Sequence, residues 1–214
     1  MGPWDIMSQH FVKQGEPSPG ISSFTKIRLG WITRPQVHFV KPGETSCAFL
    51  APLSKGGETL AVKIPLRDGT YYLIENRQPI GSDRMLPDAG ILVLKVNPEA
   101  QEGYGTVRIM NADAGGPGFT RATFRLDRDG RALFMDKANK IAVIPLWEES
   151  ENLGVLVVSP EKSDDALQAA LLIQRRIHRK GRGSEGKLEE DINNAIAAFK
   201  RFDFAGSARM AREE

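Results

Sequence analysis

Between Pro35 and Pro160, apolar and polar positions alternate in short runs, each closed by glycine, proline or an acidic turn. The runs predict strands over Gln36–Val40, Ser46–Ala51, Glu58–Leu66, Thr70–Asn76, Gly90–Val96, Thr106–Asn111, Arg121–Leu126, Ala132–Met135, Ile141–Leu146 and Gly154–Ser159. Asp68-Gly69 and Asp129-Gly130 stand between such runs, a strong hairpin signal. Strands at this spacing with no helix between them predict a mainly β, antiparallel sandwich-like domain over 35–160. Before it, Ser22 and Ser23 cap a short helix over Phe24–Leu29 that Gly30 stops. After it the period lengthens to that of a helix. Ser163 or Asp164 caps a helix over Ala166–Lys180, with Ala166, Ala170, Ile173 and Ile177 in one stripe that Leu167 and Leu171 widen. Gly181, Gly183 and Gly186 break it, and Leu188, Ile192, Ala195, Ile196 and Phe199 mark a second helix. Phe202, Phe204, Ala205, Ala208 and Met210 predict a third helical stretch still running at Glu214. The expected organisation is an N-terminal segment 1–34, a β-rich domain 35–160 and a helical tail 161–214. The tail reads as a helical hairpin laid against the sandwich or against another chain.

Composition narrows the function classes. With 214 residues, 41% of them hydrophobic, the chain can bury a full core and carry an appendage. Lys and Arg total 29 against 27 Asp and Glu, so a formal charge of +2 gives no global drive toward nucleic acid or anionic membrane. The densest basic run, Arg175 to Arg182, falls where the first tail helix ends and cations complement its carbonyl end. It lacks interleaved aromatics, and no nucleic-acid partner is expected. A single cysteine, Cys47, excludes an intrachain disulfide and a multi-cysteine zinc site. No run approaches the roughly 18 apolar residues of a membrane span. The opening MGPWDIMSQHF lacks the basic and apolar regions of a signal peptide. The glycines of Gly115–Gly118 have no Lys-Ser/Thr sequel, which excludes a P-loop and leaves a flexible loop. Asp127-Arg128-Asp129-Gly130 lacks the later ligands of a calcium loop and reads as a hairpin turn.

Candidate chemistry concentrates in the stretch from Tyr71 to Asn97. Tyr71-Tyr72-Leu73-Ile74 suits a half-buried strand, and Ile91-Leu92-Val93-Leu94 suits one covered on both faces. Glu75, Asn76 and Arg77 continue the first strand, so Glu75 and Arg77 point to one face and Asn76 to the other. Charges in that position are costly unless paired or used. Two readings stay open: Glu75 and Arg77 satisfy each other, or they have a role at a site. Upstream, Gly2-Pro3-Trp4-Asp5-Ile6-Met7-Ser8 has no strand or helix period and reads as a tight turn packing Trp4 and Met7 onto a core.

These two stretches together resemble the immune-inhibitor-A-type secreted zinc metallopeptidases, relatives of the metzincins. Trp4-Asp5-Ile6-Met7-Ser8 resembles their Met-turn, and Lys26-Ile27-Arg28-Leu29-Gly30-Trp31 resembles the phrase that follows it. Tyr71–Gln78, Gly81-Ser82-Asp83, Leu86-Pro87 and Gly90–Leu94 resemble their tyrosine-rich strand, its turn and the next strand. Where the family commonly closes that strand with His-Val-Asp, this chain has Lys95-Val96-Asn97. The resemblance implies an apolar floor at Trp4, Asp5 and Met7 beneath a catalytic zinc, a role for Glu75 and Arg77 beside it, a peptide substrate, and secretion or cell-surface display. It also implies a His-Glu-x-x-His helix, which this chain lacks: its three histidines are His10, His38 and His178, and none precedes a Glu. The expectation is therefore the C-terminal, non-autonomous part of such a peptidase, inactive and zinc-free without an upstream segment. The alternative is a non-catalytic β-sandwich binding module. An unpartnered fragment should leave Trp4, Met7 and Trp31 uncovered, whereas a self-standing module should bury them.

Overall fold

Strand alternation in the β region builds two packed sheets. The computed structural model describes residues 1–7, 18–101, 103–127, 130–180 and 186–212; His10 and the tip of the expected 127–130 turn lie outside them. The strands are β1 (Val37–Phe39), β2 (Ser46–Leu50), β3 (Ala61–Pro65), β4 (Tyr71–Arg77), β5 (Gly90–Val96), β6 (Val107–Ile109), β7 (Phe134–Asp136), β8 (Ile141–Glu149) and β9 (Asn152–Val158). One sheet has the order β1-β3-β4-β5-β6 and the other β2-β9-β8-β7. Among the described residues every pairing of these strands is antiparallel except β1 with β3, where Val37 lies opposite Ala61. That parallel pair arises because β2, between them in sequence, crosses into the other sheet. The facing sides share one core: Val62, Ile64, Ile74 and Val93 from the first sheet meet Leu50, Val143, Val155 and Val157 from the second.

Each sheet is covered on its outer face as well. The first carries the N-terminal segment, with Trp4 packed among Leu73, Leu92, Leu94 and Val96, and α1 (Ser23–Arg28) beside it. The second carries the tail, α2 (Pro160–Lys180), α3 (Gly186–Lys200) and α4 (Phe204–Met210). Ala166, Ala170 and Ile173 of α2 and Ala195 and Phe199 of α3 close on Ala142, Ile144, Trp147 and Leu156. The chain is thus mainly β with a C-terminal helical hairpin, and α4 is added to it. No helix among the described residues is long and apolar enough to cross a membrane.

Three local expectations need correction. Arg121–Leu126 forms no strand; beside single backbone bonds to Ala112 and Arg131 it holds the bridge of Phe124 to Ile91. Arg131, 5% exposed, donates from NH1 to the carbonyls of Arg121 and Thr123, taking the acceptors a neighbouring strand would need. The first tail helix starts at Pro160 rather than Ala166, because proline is well accommodated in a first turn. The last stretch is a separate helix that ends at Met210: Phe202 takes a left-handed φ of 65°, and the Asp203 side chain caps α4 by accepting from Gly206 N at 2.9 Å.

Arg131 also binds Asp88 Oδ2 at 2.5 Å, and Thr123 Oγ1 donates to the same oxygen at 2.8 Å. Burial alone would raise the Asp88 pKa; these bonds outweigh it and hold the carboxyl below its usual 3.8. A folded value below the unfolded one stabilises fully above the unfolded pKa and is lost as pH falls through the folded one. Asp88→Asn is therefore expected to be less stable than wild type at neutral pH. The gap should close as pH drops below about 4, read from urea midpoints across that range.

The β8–β9 hairpin turns through Ser150 and Glu151, both left-handed at φ 48° and 71°. A two-residue turn of that hand favours Asn-Gly. Ser150→Asn with Glu151→Gly should raise stability by about 1 kcal/mol in thermal or urea unfolding. Loss of the exposed Lys55–Glu151 pair offsets little of it.

Candidate functional site: a buried charge lattice beneath the N-terminal turn

Alternation along β4 sends Asn76 toward the second sheet, where its Nδ2 donates to Leu50 O at 2.8 Å. It sends Glu75 and Arg77 to the opposite face, beneath the N-terminal segment, and both are 0% exposed. The Arg77 guanidinium is almost fully used. Nε and NH2 donate to the two oxygens of Asp83 at 2.9 and 3.0 Å, a bidentate fork. NH1 donates to Glu75 Oε1 and to Trp4 O, both at 2.9 Å. Burial opposes the charged guanidinium, but Glu75 and Asp83 more than offset it and hold the Arg77 pKa above its ordinary value.

The acids bind backbone in turn. Glu75 Oε2 accepts from Ser23 N at 2.7 Å, at the start of α1. Asp83 Oδ1 accepts from Gly20 N at 3.0 Å, and a Cβ on Gly20 would lie 2.5 Å from that oxygen, so only glycine allows the approach. Asp5, 2% exposed, accepts from Met7 N and Ser22 N, both at 2.9 Å, which closes the turn and ties it to the head of α1. Lys26 Nζ donates to Leu53 O at 2.7 Å at the margin of the group; burial lowers its pKa, and Asp83 partly counters that. One guanidinium and three carboxylates thus pin the N-terminal turn, the segment at Gly20–Ser23 and the Ile80–Leu86 loop to β4.

The turn has two unlike sides. Trp4 is 0% exposed, its indole Nε1 donating to Phe119 O at 2.6 Å. Phe119 and Gly118, at φ 59° and 62°, belong to the glycine-rich loop expected to be flexible; a short 3-10 turn over Pro117–Phe119 sets that carbonyl on the indole. On the other side Ile6 is 40% and Met7 72% exposed, and Trp31 is 65% exposed. Of the three side chains that separate an unpartnered fragment from a self-standing module, one is buried and two are open.

Sequence alternation places Glu75 and Arg77 correctly on one face, and the Trp4-Asp5-Met7 turn lies on that face. It omits Asp83, whose signal was an acid returning six positions after Arg77 across a Pro/Gly turn. The residues do not fit a zinc site. The carboxylate oxygens of Asp5, Glu75 and Asp83 all accept from Arg77 or backbone amides, and no group of three His, Cys, Asp or Glu among the described residues could hold a metal ion. His38 Nε2 bonds Ser46 Oγ at 2.7 Å, and His178 bonds Gln174. Burial pushes the Cys47 thiol up to about 11. No family model, curated protein or solved structure matches the chain.

Proposed function

We propose that this chain is the β-rich C-terminal part of an immune-inhibitor-A-like zinc metallopeptidase, and that its task is to hold a Met-turn rigid beneath a metal-binding helix supplied by an upstream segment. The observation that carries the reading is the two-sided turn: Trp4 and Asp5 are buried and bonded beneath, while Ile6 and Met7 are open above. An exposed thioether on a rigidly anchored turn is an adaptable apolar floor for a docking element. Glu75 and Arg77 are positioning residues in this reading. Their charges lock the floor, and no atom of either reaches solvent or a substrate.

A second reading has its own observation. The complete burial of Trp4 and the internal satisfaction of Glu75, Arg77 and Asp83 suit a self-standing binding module. The experiment that separates the two is expression of this chain together with the codons in frame upstream. The first reading expects a His-Glu-x-x-His run there and peptide hydrolysis that a chelator abolishes and zinc restores, with no hydrolysis by residues 1–214 alone. Upstream sequence without that run, or an extended product that cleaves nothing with zinc, would leave the binding module.

A further inference from the structure

Beside a β-bulge in the β8–β9 hairpin lies a cleft of about 440 Å³, which Gln78 and Gly90, at the end of β4 and the start of β5, also line. Pairing of β8 with β9 runs Pro145 to Val155 and then Glu148 to Leu153, so one extra residue stands on β8. Leu146 and Trp147 both turn toward the helices as a result. Gly154 faces the bulge, and a Cβ there would lie 2.8 Å from Leu146 Cβ. Bulges re-aim the side chain that follows them, here Glu148, which joins the cleft lining.

The lining combines an apolar body with an excess of acceptors. Leu126, Pro145, Leu153 and Ile177 supply the body. Arg125 and Asp127 close on each other through two bonds of 2.8 and 3.1 Å, and Arg125 NH1 is taken by Ala89 O. Glu148 is the other carboxylate of the lining; its field reaches Arg125, and its side chain makes no hydrogen bond among the described residues. Across the cleft on α2, the Gln174 amide nitrogen is bonded to His178 Nε2 at 3.1 Å. The Gln174 amide oxygen is buried with no partner among the described residues. A buried acceptor left unpaired is costly, and it marks a place where a donor belongs.

We infer that this cleft binds an organic cation with an apolar stem, the chemistry of a lysine side chain. The stem lies on Leu126, Pro145, Leu153 and Ile177, while the ammonium donates to the Glu148 carboxylate and the Gln174 amide oxygen. The inference is independent of the peptidase reading, because no residue of the charge lattice takes part.

The test is an NMR titration of the whole chain with N-acetyl-lysine methylamide, following the Trp147 indole and the Gln174 side-chain amide. Its neutral counterpart, N-acetyl-norleucine methylamide, is titrated in parallel. The expected result is saturable shifts with the cation only, weakened by added salt. Glu148 is exposed, so Glu148→Gln should fold as wild type and bind at least fivefold more weakly. Equal binding of the neutral analogue, unchanged affinity in Glu148→Gln, or shifts that never saturate would each overturn the assignment.

Discussion

Arg77→Leu is expected to cost roughly 3–5 kcal/mol, the range for breaking a buried ionic network by removing one partner. The loss does not stem from missing attraction alone. Glu75 and Asp83, 0% and 1% exposed, would remain buried without the guanidinium that compensates them. Trp4 O would lose its donor at the same time. The damage should concentrate where the lattice binds backbone: amide exchange at Gly20, Ser22 and Ser23 should quicken far more than in the β8–β9 hairpin. Arg77→Lys should recover only part of the loss, since an ammonium cannot span both Asp83 oxygens and reach Glu75 and Trp4 as well. Urea unfolding gives the total, and hydrogen exchange its location. A uniform rise in exchange across both sheets would contradict the lattice as a local anchor.

Trp4→Ala should cost about 3–5 kcal/mol, as for other large aromatic side chains removed from a closed core. Trp4 fills the space over Leu73, Leu92 and Leu94, and its indole N–H ties the N-terminal turn to the Pro117–Phe119 loop. The Phe119 backbone is strained at φ 59°, and the indole bond helps to hold it there. Without the indole, the loop should relax, and Phe119 amide exchange should rise together with the fall in melting temperature. Trp4→Phe restores most of the volume but not the N–H, so it should recover much of the stability and little of the protection at Phe119. If Trp4→Phe restored both, the indole bond would not be what holds the loop.

How far the fold could be read ahead of the structure depended on how local its causes were. β5 runs over Gly90–Val96 as expected because an unbroken apolar run leaves one physical option between two covered faces. Period-two alternation likewise put Glu75 and Arg77 together and Asn76 apart. The failures are places where a distant group decides. Arg121–Leu126 has strand composition, but the Arg121 and Thr123 carbonyls go to the side chain of Arg131, a residue from another segment. The parallel pairing of β1 depends on β2 leaving for the other sheet, which no pattern within β1 encodes. Asp83 joins Arg77 only after the Ile80–Leu86 loop folds back, so the acid that completes the lattice reads as an ordinary turn residue. The cleft behind the bulge was hidden for the same reason, since residues as far apart in sequence as Gln78, Arg125, Glu148 and His178 line it together.

The central claim is that the open side of an anchored turn is a docking floor, and oxidative footprinting of Met7 tests it most directly. In residues 1–214 alone, Met7 at 72% exposure should oxidise faster than Met85 and Met210, at 45% and 37%. Joined to the in-frame upstream segment, Met7 should be protected about tenfold or more, with Met85 and Met210 unchanged as internal references. Equal Met7 oxidation in the two proteins would mean that nothing seats on the turn, and the metallopeptidase account of this chain would fall with it.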